Sequence, residues 1–221
     1  MTTTLVFDLD GTLADTAPDL VGTLNWLMDR EGLPHVPLAE ARAMVGQGAR
    51  ALIERGFAWN GAALAQERMG PLVDDFLSHY EERIADESVL FPGAPASLER
   101  FAAAGTLLAV CTNKPEPLAR LLLGRLGAHD LFAAICGRGT FAMHKPDPRM
   151  YFLTVEAAGG APGRSVMIGD SKTDIDTAKA AGAPVVAVDF GYTDRPVADY
   201  APDRVISHFD ELWPAVKALG F

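Results

Sequence analysis

Short apolar runs that stop abruptly at polar residues recur along this chain. Leu5-Val6-Phe7 runs into Asp8, residues 106–111 into Thr112-Asn113-Lys114, residues 165–168 into Gly169-Asp170, and residues 184–188 into Asp189. Apolar runs without polar alternation predict strands buried on both faces. Helical spacing separates them. Leu20, Leu24 and Leu27 share one face, opened by Thr16 as a cap, with Pro18 and Asp19 in the first turn. Helices are predicted over 38–45, 49–57, 62–69 and 72–85, broken by Gly or Pro. In the last, Leu72, Phe76 and Tyr80 recur every fourth residue, with Val73 widening the face. Beyond a turn at Phe91-Pro92-Gly93, helices at 94–104, 118–126, 149–158 and 173–181 alternate with the later strands, including short ones at 133–136 and 204–206. This alternation predicts an α/β fold, a Rossmann-like parallel sheet with helices on both faces. An all-helical block interrupts it after the first strand. The expected division is a Rossmann-like core of residues 1–14 and 86–221 and a helical unit of residues 15–85.

Composition narrows the function classes. A chain of 221 residues is one domain or one and a half. Its net charge of −10 argues against nucleic acid or an anionic membrane as partner, but not against a small anion held by a local cation. The two cysteines, Cys111 and Cys136, form no CxxC pair and read as thiols of a cytoplasmic protein, although counting does not exclude a disulfide. The first strand begins almost at once, without a signal-like segment or a spanning stretch. A soluble, cytoplasmic protein is expected.

In a parallel sheet the strand ends share one edge, so residues far apart in sequence converge there. That edge would carry Asp8 and Asp10, Thr112 and Asn113, and Asp170, with Lys145 supplied by a loop. Two crowded carboxylates need a cation, a shared proton or both. Carboxylates for a metal, a hydroxyl and an amide for phosphate oxygens, and a neutralising lysine form one set suited to phosphoryl transfer. The sparse ligand set suits Mg²⁺. Singly, each piece has a plainer reading: a turn with surface acids, a strand-end cap, a surface lysine, helix-capping acids.

The combination resembles the haloacid dehalogenase-like phosphohydrolases. Asp8-Leu9-Asp10-Gly11-Thr12, Thr112-Asn113, Lys145-Pro146 and Gly169-Asp170-Ser171-Lys172-Thr173-Asp174 match the four motifs of that family in order and spacing. The resemblance implies that Asp8 is the nucleophile of an aspartyl-phosphate intermediate, and Asp10 the acid for the leaving oxygen and then the base for water. It implies that Thr112 and Lys145 bind the phosphoryl group, with Asn113 nearby. Mg²⁺ would be held by Asp8, the Asp10 carbonyl and Asp170, and Asp174 would orient that site. The helical insert corresponds to the family's type-one cap.

Ala17-Pro18-Asp19-Leu20, residues 45–50, Phe91-Pro92-Gly93 and residues 190–194 further resemble bacterial phosphoglycolate phosphatases. That implies 2-phosphoglycolate as the small phosphorylated metabolite. Sugar-phosphate phosphatases and phosphoglucomutase-like mutases share the four motifs, and a non-catalytic sensor of a phosphorylated ligand is the alternative from another class. Phosphoglycolate carries a carboxylate, and Arg50, entered from the glycine loop, is the expected cap contact.

Other patterns carry less. Gly46-Gln47-Gly48-Ala49-Arg50-Ala51 fits GxGxxA, but no buried strand feeds it. The five histidines lack i, i+3 or i+4 partners, which argues against a zinc site, and His144 reads as a solvated loop residue.

Overall fold

The chain, seen in a computed structural model that describes residues 2–221, opens with β1 (Thr4–Phe7) and β2 (Ala14–Asp15). Four helices follow: α1 (Ala17–Arg30), α2 (Leu38–Arg42), α3 (Ala49–Trp59) and α4 (Gln66–Glu82). The chain returns through β3 (Val89–Leu90) and then alternates: α5 (Ala94–Ala103), β4 (Leu107–Pro115), α6 (Glu116–Arg125), β5 (Ala134–Arg138) and α7 (Pro148–Ala157). It closes with β6 (Ser165–Gly169), α8 (Lys172–Ala181), β7 (Val185–Val188), β8 (Arg204–Ile206) and α9 (Leu212–Ala218).

Six parallel strands form one sheet in the order β5-β4-β1-β6-β7-β8. Leu5, Phe7, Val110 and Ile168 face a core shared with α5, α6 and α9, whereas Val6, Cys111 and Met167 face a second core under α7 and α8. Both faces are thus buried, which is why the strands read as unbroken apolar runs. The strand order reverses on either side of β1, and a crevice opens at the carboxyl ends there. Cys111 and Cys136 are register partners on β4 and β5, and both are free, buried thiols. Among the described residues no helix is long and apolar enough to cross a membrane.

The helical insertion lies between β2 and β3, which pair antiparallel where the chain leaves and re-enters the sheet domain. Asp19 fastens this double crossing. Its carboxylate accepts from the Glu87 amide at 3.0 and 3.2 Å, the Ser88 amide at 2.8 Å and the Ser88 hydroxyl at 2.6 Å.

Several elements differ from expectation. The helices expected at 62–69 and 72–85 are one helix, α4, running through Pro71. Pro71 lies early in α4, where its missing N–H removes a single bond to the Glu67 carbonyl, and the buried stripe of Met69, Leu72, Phe76 and Tyr80 holds both sides together. The helix expected over 38–45 ends at Arg42 and gives way to turns. Strands as short as β2 and β3 leave no periodic trace, and α9 lies in a stretch for which no helix was expected.

Candidate active site

β1 delivers Asp8 to the crevice, and the turn behind it requires Gly11. Its φ is +81°, and a Cβ there would lie 2.5 Å from Asp170 Oδ2. Gly191 leaves similar room: a Cβ on it would meet Asp170 Cβ at 2.2 Å. Small residues on two sides therefore let a buried carboxylate sit against the backbone. Asp170 Oδ1 accepts from the Thr12 hydroxyl at 2.9 Å, and Oδ2 from the Tyr192 amide at 2.7 Å.

Lys145 enters from the loop between β5 and α7, after which a cis Lys145–Pro146 peptide turns the chain. Its side chain is 1% exposed, and Nζ lies 2.9 Å from Asp8 Oδ1 and 2.6 Å from Asp174 Oδ1. Asp174 Oδ2 accepts from the Ser171 amide and hydroxyl at 3.1 and 2.7 Å, closing a capping box at the start of α8. Asn113 Nδ2 donates to the Lys145 carbonyl at 3.1 Å, and the Thr112 hydroxyl accepts from the Lys114 amide at 3.2 Å.

Carboxylate oxygens of Asp8, Asp170 and Asp174 lie within 4.8 Å of one another. Burial, with repulsion from neighbouring carboxylates, pushes Asp170 up to about 8. Burial also pushes Asp8 up to about 6 against the opposing pull of Lys145. Three buried carboxylates facing one lysine leave negative charge that a divalent cation matches, and an all-oxygen donor set suits a hard ion. The residues present therefore fit a resident divalent metal.

The Asp10 side chain points elsewhere. Its Oδ1 accepts from the Thr16 hydroxyl at 2.8 Å and from Lys114 Nζ at 2.9 Å. Lys114 also donates to the Tyr80 hydroxyl of α4 at 2.8 Å, so the site spans core and insertion. A cavity of about 50 Å³ lies over Asp8 and Asp10, lined also by Thr112, Asn113, Gly46 and Gly48. The glycine loop between α2 and α3 thus borders the same cavity as Asp8 and Asp10. Arg50 does not line this cavity: its half-exposed side chain lies 3.8 Å from Glu54 and borders a neighbouring groove with Asn113 and Arg138. His144 is exposed, with Nδ1 2.9 Å from the Lys145 carbonyl.

Lys114, Tyr80 and Tyr192 are the residues sequence reasoning missed. Lys114 directly follows Thr112-Asn113 at the end of an apolar run, and that position was its one available signal.

Residues 5–188 match the family model for haloacid dehalogenase-like hydrolases. The chain belongs to that family. Among curated relatives, a phosphoglycolate phosphatase of Mesorhizobium japonicum is 51% identical over 94% of this chain and 92% of its own length. That of Caulobacter vibrioides is 48% identical over 93% and 87%. The crystal structure of a predicted phosphoglycolate phosphatase from Haemophilus somnus superposes with a TM-score of 0.90 at 29% identity, covering 96% of this chain and 97% of that one. CbbY of Rhodobacter sphaeroides, solved with phosphate, superposes with a TM-score of 0.82 at 25% identity, covering 98% and 100%. This member of the hydrolase family keeps all four motifs at one sheet edge.

Proposed function

We propose that the protein is a Mg²⁺-dependent phosphatase that hydrolyses 2-phosphoglycolate to glycolate and phosphate. The observation that carries the reading is the pair Asp8 and Asp10 beneath a small cavity, with Lys145 fixed beside Asp8. Likeness to curated phosphoglycolate phosphatases supports the substrate. The lining is compatible with it: a lysine and a tyrosine stand beside Asp8 and Asp10 in the same cavity, so a small acid has polar partners there.

In this reading Asp8 attacks phosphorus and forms an aspartyl-phosphate, dividing one slow displacement into two. Lys145 and the Thr112 hydroxyl hold the phosphoryl oxygens, with Asn113 fixing the Lys145 loop. Asp10 passes a proton to the leaving oxygen and later takes one from the attacking water. Its Oδ2 suits this work, having no protein partner among the described residues while Oδ1 is held by Thr16 and Lys114. Asp8, Asp170 and the Asp10 carbonyl would hold Mg²⁺, which would supply positive charge for the phosphoryl oxygens. Asp174 orients Lys145. Residues 1–14 and 86–221 form the catalytic core, and residues 15–85 form a cap that excludes water from the cavity.

A panel of phosphomonoesters, assayed with Mg²⁺ and with chelator on wild type and Asp8→Asn, tests the reading. The expected result is turnover led by 2-phosphoglycolate, dependent on Mg²⁺ and lost in the variant. A hexose phosphate leading the panel, or metal-independent turnover, would contradict it.

A further inference from the structure

Among the described residues, Lys114 is the one cationic side chain lining the cavity over Asp8 and Asp10. It stands near the end of β4, two residues past Thr112, with its side chain 3% exposed. Its ammonium carries three donors, and two are used, on Asp10 and on the Tyr80 hydroxyl. The Tyr80 oxygen accepts from Lys114, so its own O–H is likewise without a protein acceptor among the described residues. Two unused donors therefore meet at one cavity whose walls include Leu52, Phe76 and Leu118. Apolar walls strengthen an ion pair formed there and make an unmatched charge costly. An acid-tailed substrate brings a second negative group close to the Asp8 carboxylate, so a cation is needed beside its path.

We infer that Lys114 and Tyr80 form the seat for the substrate's carboxylate, with the phosphoryl group at Asp8 and the acid end at the Lys114 ammonium. The inference rests on the phosphoglycolate reading and names the residues that select that substrate over a phosphomonoester with an uncharged tail. It moves the carboxylate contact from exposed Arg50, outside the cavity, to a buried lysine within it. The seat also joins two parts of the molecule. Lys114 belongs to the sheet and Tyr80 to α4, so a carboxylate bound between them holds the helical insertion against the site.

A lysine that served only to position Asp10 would affect every substrate in equal proportion. The seat predicts unequal effects, so the ratio of kcat/KM for 2-phosphoglycolate to that for ethyl phosphate is the readout. Ethyl phosphate keeps the leaving oxygen and replaces the carboxylate with a methyl group. In Mg²⁺ this ratio is expected to fall about 100-fold in Lys114→Met, mainly through KM for phosphoglycolate, because a buried ion pair is lost. In Tyr80→Phe, which loses one hydrogen bond and keeps the ring, a fall of about 5-fold is expected. Lys114→Arg, which restores the charge, should recover much of the ratio. Equal losses on both substrates in Lys114→Met would overturn the seat, as would a fall in Arg50→Ala with none in Lys114→Met. If Lys114→Met does not fold by circular dichroism, Tyr80→Phe decides, and an unchanged ratio overturns the seat. A wild-type enzyme indifferent to the carboxylate would instead overturn the phosphoglycolate reading itself, before any variant is compared.

Discussion

The Tyr192 hydroxyl donates to Asp15 Oδ1 at 2.6 Å, and its oxygen accepts from the Thr16 and Ala17 amides at 2.7 and 2.8 Å. These amides open α1, where helix geometry provides no intrahelical partner and the Thr16 side chain makes no cap bond. One phenol thus caps the first helix of the insertion, while the amide of the same residue holds Asp170. Arg42 completes the link, donating to Asp15 Oδ2 at 2.8 Å. Tyr192→Phe should cost about 1–3 kcal/mol of unfolding free energy, because buried amides lose their acceptor. Urea denaturation measures it, and a change within error would show that water replaces the phenol at no cost.

Asp19 binds the two crossings of the insertion through four contacts to Glu87 and Ser88. Its predicted place near the start of α1 is correct, but its carboxylate serves these distant groups. Asp19→Ala should destabilise the fold by about 2–4 kcal/mol, as the loss of hydrogen bonds to a buried charge implies. Native-state hydrogen exchange at Glu87 and Ser88 should quicken by at least about tenfold through local opening. Unaltered exchange at these two amides would show that β2 and β3 hold the crossing alone.

The Lys145–Asp174 contact predicts a larger loss. Asp174→Ala leaves Lys145 with Asp8 as its one carboxylate partner and opens the capping box of α8. Breaking a buried pair on one side typically costs about 3–5 kcal/mol, and denaturant unfolding should show a loss of that order. A loss below about 1 kcal/mol would place the stabilising partner of Lys145 elsewhere.

The crowded acids predict a pH dependence. Asp8 is raised from 3.8 to about 6 and Asp170 from 3.8 to about 8, so the folded protein holds protons that the unfolded chain releases. The stability this confers is complete below 3.8 and is lost as pH rises through about 6 and then about 8. In chelator, Tm should therefore decline from pH 5 to pH 9, while saturating Mg²⁺ should flatten the decline, because the cation then offsets the carboxylates. Calorimetric titration near neutral pH should show protons released as Mg²⁺ binds. A Tm in chelator independent of pH would contradict this electrostatic account.

Much of the fold was legible because burial on both sheet faces leaves unbroken apolar strands, and three of these end in residues that they present to the site. Asp8, Thr112 and Asp170 were visible as polar stops, and the sheet topology brings them to one edge. Lys114 was passed over because a lysine after a strand ordinarily lies in water. Only the fold shows Asp10 and Tyr80 closing around it. Tyr192 lies within the motif at residues 190–194, yet its partners lie at Thr16, Ala17 and Asp170, separations that periodicity does not encode. Pro71 looked like a helix break because its cost is local, whereas the packing that outweighs it involves the whole stripe of α4.

Covalent catalysis by Asp8 is the central claim, and trapping the intermediate tests it most directly. Wild type mixed with 2-phosphoglycolate and Mg²⁺, then quenched with borohydride, should yield a peptide in which Asp8 has become homoserine, because borohydride reduces an acyl phosphate to the alcohol. Without substrate, Asp8 should be recovered intact. Homoserine at Asp10 with Asp8 untouched, or no reduction at any aspartate during steady turnover, would contradict the account.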